Sequence, residues 1–256
     1  MGFLQGKRIL ITGLLNRSSI AFGIAQSMYE QQAELAFTYK SNHLKKKVTK
    51  YAQSFNSKIV IACNMAIDNS IIQLFRELSI YWKNFDGFIH SIAFAPTNQF
   101  SSNYLNFIDR KSFRITHEIT SYSFIAMVKA CKNMLNANSA LLTITYLGAN
   151  FVVPNYNVMG SAKASLEANT RYLAYYLGDS KIRVNAISIG PIKTSSTAVF
   201  NNFKKILHCS KMKSPLKRNV SIYEVGHVAS FLCSNLSSGI SGQVIYVDGG
   251  SGIVYS

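Results

Sequence analysis

At 256 residues and 48% hydrophobic content, the chain fits one α/β domain with an ample core. It has no run of about 18 apolar residues, and Lys7-Arg8 leads only into the short apolar stretch 9–11, so neither a spanning helix nor a signal peptide is read and a cytoplasmic protein is expected. Lys and Arg number 27 against 11 Asp and Glu, a formal +16, but no basic motif is interleaved with aromatics. The excess therefore reads as a solvated surface and not a nucleic-acid site, with an acidic protein partner as the alternative.

Residues 7–12 read as a buried strand ending at Gly13, followed by a loop at 14–18 and a helix from Ser19 to about Tyr29, capped by Ser18 or Ser19. A strand, a glycine turn and a helix opening on a hydroxyl residue can hold a pyrophosphate on backbone N–H groups. Gly13, Ser19 and Gly23 do not, however, spell G-x-G-x-x-G. The second strand, 33–39, ends at Lys40, where a nicotinamide-binding fold sets a group against the adenosine ribose. Lys40 cannot accept from a 2′-hydroxyl. It can attract a 2′-phosphate, or simply stand in solvent.

A third strand at 57–63 ends in Asn64-Met65, and a helix is expected over 69–83. The fourth strand, 86–92, runs into Ala93-Phe94-Ala95-Pro96, and helical patterning covers about 109–136. A fifth strand at 140–145 precedes a helix over 162–176, and a sixth at 181–188 is stopped by Gly190-Pro191. Residues 192–213 open with Thr194-Ser195-Ser196-Thr197 and read as a loop with room for a short helix. A helix over 220–236 and a seventh strand over 242–248 complete the chain. Alternating strands and helices imply a Rossmann-type, doubly wound parallel sheet of seven strands in a single domain. Ligands of such sheets sit beyond the carboxyl ends of the strands. Gly13, Lys40, Asn64, Ser91 to Ala95, Tyr146 and Gly190 to Thr194 share that edge.

Tyr156 and Lys163 stand seven residues apart, which on a helix places both on one face, two turns apart. An ammonium near a phenol favours its ionised form, and such a tyrosine can donate to an oxygen that gains charge in a transition state. The cysteines form no C-x-x-C pair and read as free thiols. The five histidines lack metal-ligand spacing, so no metal is expected.

The stretches from Gly13 to Gly23, His90-Ser91-Ile92-Ala93-Phe94-Ala95-Pro96, Ser121-Tyr122-Ser123-Phe124, Tyr146-Leu147-Gly148, Pro154-Asn155-Tyr156-Asn157-Val158-Met159-Gly160 and Gly190-Pro191-Ile192 carry a resemblance. Across nearly the whole chain they resemble the NADH-dependent enoyl-(acyl carrier protein) reductases of bacterial fatty-acid synthesis, within the short-chain dehydrogenase/reductase superfamily. Ordinary members of that superfamily place the catalytic tyrosine four residues before the lysine. Here that position is Met159, which has no proton to give, and the tyrosines stand at Tyr156 and Tyr146 instead. That spacing argues against a ketoreductase.

The resemblance implies hydride transfer from a nicotinamide to the β-carbon of a trans-2-enoyl thioester. Tyr156 would hydrogen-bond the enolate oxygen, with Tyr146 assisting, and Lys163 would hold the nicotinamide ribose. Gly13, Ser19 and Ile20 match the pyrophosphate turn, Lys40, Asn64 and Met65 the adenosine side, and Ile92 the nicotinamide side. Ile192, Lys193, Thr194, Ser195 and Ser196 match a segment closing over the cofactor, and 192–213 is expected to be mobile until it binds. Ala95 falls beside the acyl substrate, and Phe94, Phe100, Met159, Phe200 and Phe203 suit a fatty chain or ordinary core. Asn64 stands where the family has an aspartate, and its carbonyl could accept from the adenine amino group. Lys40 replaces a neutral residue, so NADPH stays open beside NADH, and Ala93 replaces a glycine. The resemblance also implies a carrier-protein thioester substrate, which would give the positive surface a purpose. It implies a homotetramer packed through 109–136 and 162–176, with neither nucleic acid nor membrane insertion. The alternatives are a related reductase on another enoyl or carbonyl substrate, and a basic binding protein on the same scaffold.

Overall fold

A computed structural model describes residues 2–100, 103–195, 197 and 203–254. Seven strands form one sheet: β1 (Arg8–Ile11), β2 (Glu34–Tyr39), β3 (Val60–Ala62), β4 (Phe85–His90), β5 (Leu135–Tyr146), β6 (Arg183–Ile189) and β7 (Val244–Val247). Their order is β3-β2-β1-β4-β5-β6-β7, and every neighbouring pair is parallel. The seven-stranded Rossmann sheet expected from the alternation is the one observed.

Side-chain alternation along the strands feeds a core on each face. On β1, Ile9 and Ile11 join the layer under α1 (Ile20–Glu30) and α9 (Ile222–Cys233), whereas Leu10 joins the opposite layer. That second layer holds α3 (Asp68–Tyr81), α6 (Ser123–Cys131) and α7 (Val158–Leu177), with Trp82, Phe85, Phe88 and Phe124 as large buried anchors. The chain winds outward from β1 to β3, then crosses back to place β4 on the other side of β1. The crevice opened at the β1 and β4 ends is where doubly wound sheets take their ligands.

Three expectations about elements need correction. The helical stretch expected over 109–136 is broken: α5 (Arg110–His117) passes into a π-helical turn, Glu118–Tyr122, before α6. Strand β5 then starts at Leu135, earlier than expected, because Leu135 pairs with Phe85 ahead of a register shift. Helix α2 (Asn42–Gln53) has no counterpart in the sequence reading, since only Val48 and Ala52 on it are buried and its polar face carries Lys45-Lys46-Lys47. A one-turn helix, α4 (Tyr104–Phe107), and α8 (Phe203–Lys213) complete the α-helices among the described residues, and α8 fills the end of the expected 192–213 loop.

Candidate active site at the carboxyl edge of the sheet

Gly13 ends β1 in the left-handed region, at φ +85°, and a Cβ there would fall on the Ser91 carbonyl oxygen at the end of β4. Only glycine lets the two strand ends approach this closely. Ser19 sits at the N-cap of α1, but its hydroxyl makes no cap bond to the helix. It instead accepts from Leu15 N (3.2 Å) and Asn16 N (3.0 Å), folding the 14–18 loop back on itself. The first N–H groups of α1, that of Ile20 among them, have no intrahelical acceptor, and the first turn carries no acidic residue. The positive end of the helix dipole therefore faces the crevice.

Asn16 is a site residue that sequence reasoning missed. Its Oδ1 accepts from Ser18 N (2.9 Å) and Ser18 Oγ (2.7 Å), and its Nδ2 donates to Ser195 Oγ at 2.6 Å. One side chain thus orders the loop and joins it to the segment after β6. The signal was present in Asn16-Arg17-Ser18, a local sequence suited to an Asx turn.

At the edge expected to take adenosine, Lys40 places Nζ 5.6 Å from the centre of the Phe94 ring. The Asn64 carbonyl, expected to accept from an adenine amino group, already accepts from Ala66 N at 3.2 Å, while Asn64 N donates to Ser70 Oγ. Met65 is buried with Cys63 Sγ 3.8 Å from its sulfur, and Ile92 packs partly buried on the same core layer. Ile192 is buried in the other layer, Lys193 is exposed, and Thr194 is held by Thr197 through a 2.8 Å bond to its N–H. Ser196 and Phe200 lie outside the described residues.

Tyr146, the last residue of β5, and Tyr156 meet edge to face, with ring centres 4.9 Å apart at 66°. Phe100 and Met159 are buried against Tyr156, and Ala95 and Val153 close the cluster, which places Ala95 beside the two tyrosines. Phe94 is exposed beside Lys40, and Phe203 is half-buried in α8.

The expected helical spacing of Tyr156 and Lys163 is wrong in one respect. Tyr156 lies in a turn before α7, between Asn155 at φ 68° and Asn157 at φ 47°. Asparagine tolerates this left-handed backbone, which is why Pro154-Asn155-Tyr156-Asn157 makes a turn and not a first helical coil. The Asn157 amide donates to the Gln99 carbonyl oxygen at 2.8 Å, anchoring the turn. Lys163 lies on α7, buried, and donates to the Ile144 carbonyl oxygen at 2.6 Å.

The charge states also differ from expectation. Burial, and then the neighbouring Tyr146, push the Tyr156 phenol well above its ordinary value, opposite to the downward bias expected from a nearby ammonium. Burial lowers the Lys163 ammonium to about 8, partly offset by the negative charge of Glu167. A neutral phenol is still a hydrogen-bond donor, the role that the chemistry needs.

Gly148 explains how the ring is seated. A Cβ there would stand 2.5 Å and 2.9 Å from the Tyr156 ring carbons and 3.4 Å from Tyr146 Cδ1. Gly148→Ala is expected to push Tyr156 out of place and cost about 10- to 100-fold in kcat, the scale of an ångström's misplacement. Steady-state rates set beside a thermal melt that moves little would check this.

The donors at the β1–α1 turn, the acid-free helix start and the glycine approach at the crevice fit the pyrophosphate of a dinucleotide, which Gly13, Ser19, Ile20 and Asn16 would hold. Fold and site together define a nicotinamide-nucleotide reductase of the short-chain type. The sequence profile described as "Enoyl-(Acyl carrier protein) reductase" matches residues 13–252. The chain is 54% identical over 254 residues to the NADH-dependent enoyl-acyl-carrier-protein reductase FabI of Escherichia coli strain K12, covering 99% of this chain and 97% of that one. It superposes on the crystal structure of the enoyl-acyl-carrier-protein reductase (NADH) from Aquifex aeolicus VF5 with a TM-score of 0.97 at 40% identity, covering 100% of both chains. The enzyme from Anaplasma phagocytophilum, solved in complex with NAD, matches with a TM-score of 0.94 at 36% identity over 100% of this chain and 95% of that one. The chain belongs to the enoyl-(acyl carrier protein) reductase family.

Proposed function

We propose that Tyr156, Tyr146 and Lys163 form the centre at which this chain reduces the trans-2 double bond of enoyl thioesters carried on acyl carrier protein. The chain is an enoyl reductase of fatty-acid biosynthesis that uses NAD(H). Bound NADH supplies the hydride that goes to the β-carbon. The electron pair displaced from the double bond gathers on the thioester oxygen, where the neutral Tyr156 phenol donates a hydrogen bond, and collapse of that enolate with a proton taken from water at the α-carbon gives the saturated thioester. Tyr146 buttresses that ring, and Phe100, Met159 and Ala95 give the acyl chain an apolar wall. Lys163 sets a positive charge behind the phenol and would hold the ribose hydroxyls of the bound cofactor. The edge-to-face pair of phenols, with Met159 beside them, is the observation that carries the reading. Ile192 to Ser195 close over the cofactor, so NADH is expected to slow protease cleavage within 192–213.

Nicotinamide absorbance on adding a crotonyl thioester, followed with NADH and NADPH in parallel, tests the reading. Oxidation of NADH supports it; a folded protein that binds the cofactor without turnover sinks it and favours a binding protein on this scaffold. Faster turnover with NADPH would assign Lys40 to a 2′-phosphate. Helix α8 carries Lys204, Lys205, Lys211 and Lys213 and no acidic residue, a basic element suited to an acidic carrier. The KM of a carrier-borne substrate is therefore expected to rise severalfold with salt, while that of a small uncharged crotonyl thioester stays flat. A homotetramer would cover the cavity of about 810 Å³ between α5 and α7, lined by Arg110, Phe113, His117, Tyr122, Ser165 and Asn169.

A further inference from the structure

Glu167 lies one helical turn beyond Lys163 on α7, and both side chains are buried. The two are pinned to consecutive residues of β5. Lys163 Nζ donates to the Ile144 carbonyl, and Thr145 Oγ1 donates to Glu167 Oε1 at 2.7 Å. The second carboxylate oxygen accepts from Asn150 Nδ2 at 3.3 Å. No ion pair within contact distance involves Glu167 among the described residues. A buried carboxylate is costly unless it is both hydrogen-bonded and set against a positive charge. The donors to its carboxylate are neutral; Arg171, exposed one turn further on, donates to the Glu167 backbone carbonyl at 3.3 Å, and the buried cation on its own helix face is Lys163.

We infer that Glu167 is a positioning residue for the reduction: its buried carboxylate holds Lys163 in the charged form behind Tyr156. The inference rests on the role proposed for Lys163. Other groups facing Lys163 cannot supply this charge. His90 on β4 is buried between Thr143 Oγ1 (3.0 Å) and Ser123 Oγ (2.8 Å), and burial followed by the Lys163 charge lowers it to about 3, so it is neutral. Tyr146 on β5 and Tyr156 in the turn before α7 are both raised, chiefly by burial, and stay neutral. Across Glu167, Tyr246 on β7 shares the Asn150 amide and is also raised, first by burial and then by the Glu167 charge. On the α5 side, Arg114 and Glu118 pair with each other at 3.4 Å in solvent, and Arg110, Lys111 and His117 line the outer cavity.

Glu167→Gln keeps the shape and removes the charge. Losing a negative charge about one helical turn away is expected to lower the Lys163 midpoint by about one pH unit. The ε-carbon resonance of carbon-labelled lysine, assigned by its loss in Lys163→Met, reads that midpoint independently of turnover. The alkaline limb of kcat/KM should move down with it, leaving Glu167→Gln about fivefold slower than wild type at the wild-type midpoint, about tenfold slower well above it, and close to wild type at acid pH. Glu167→Asp keeps the charge and should keep the midpoint. It also preserves a test if the glutamine variant does not fold. An unmoved Lys163 midpoint in Glu167→Gln, with a rate loss equal at every pH, would overturn the inference and leave Glu167 a packing residue. If Lys163→Met instead keeps the full rate, the proposed role of Lys163 fails, while the resonance shift still decides the link between the two charges.

Discussion

Tyr156→Phe should cost about 10²- to 10³-fold in kcat, the scale of removing one donor from an oxyanion site, with the KM for NADH little changed. The ring is what the fold uses. It packs on Phe100 and Met159 and against the edge of Tyr146, all contacts that phenylalanine keeps, so the thermal midpoint should hold. The hydroxyl is what the reaction uses, because the thioester oxygen becomes charged only in the transition state. The pH profile separates the tyrosine from the lysine. With the phenol raised by burial and by Tyr146, Tyr156 is protonated throughout the working range and contributes no limb. Lys163, lowered to about 8, loses its proton as pH rises through that value. The alkaline limb should therefore persist at the same place in the residual activity of Tyr156→Phe and disappear in Lys163→Met. An unchanged kcat would remove Tyr156 from the chemistry, and a limb that vanished with the hydroxyl would reassign it to the phenol.

The fold was legible because buried parallel strands announce themselves. Runs such as Arg8–Ile11 and Arg183–Ile189 are rich in buried aliphatic residues and are soon followed by glycine. Helices that bury few side chains were not legible: α2 buries only Val48 and Ala52, and no described residue of α8 is fully buried. The site was legible in its residues more than in its geometry. Tyr146, Tyr156 and Ala95 do converge, but spacing alone placed Tyr156 on the helix, whereas paired left-handed asparagines hold it in the preceding turn. The downward bias expected for Tyr156 failed for an energetic reason, since adjacency to a cation was counted and desolvation was not. Asn16 and Glu167 went unassigned because their roles depend on partners far away in sequence or on a neighbouring strand. Asn16 meets Ser195, and Glu167 meets Thr145 on β5.

Lys163→Met is expected to abolish most turnover, by at least about 10²-fold, and yet to stabilise the protein. Lys163 is only 4% exposed, and its descent from 10.5 to about 8 measures the penalty for carrying charge there. That descent corresponds to about 3 kcal/mol against the charged form at neutral pH. Methionine fills a similar volume without the charge. It forfeits the bond to the Ile144 carbonyl, and Glu167 keeps its bonds from Thr145 and Asn150. The net gain should be about 1 kcal/mol, a rise of about 2–4 °C in the thermal midpoint. The sign has a pH signature. Below about 8 the native lysine is protonated like the unfolded one, and the full penalty stands. Between about 8 and 10.5 the native state binds fewer protons than the unfolded state, so wild-type stability rises and the gap to Lys163→Met closes. Melts of the two proteins at pH values on either side of 8 would show the convergence. A methionine variant that is less stable at every pH would mean that the lysine is held for packing. An inactive variant that is more stable at neutral pH and converges above pH 8 would show that the fold carries this buried charge at a cost in stability that its chemistry requires.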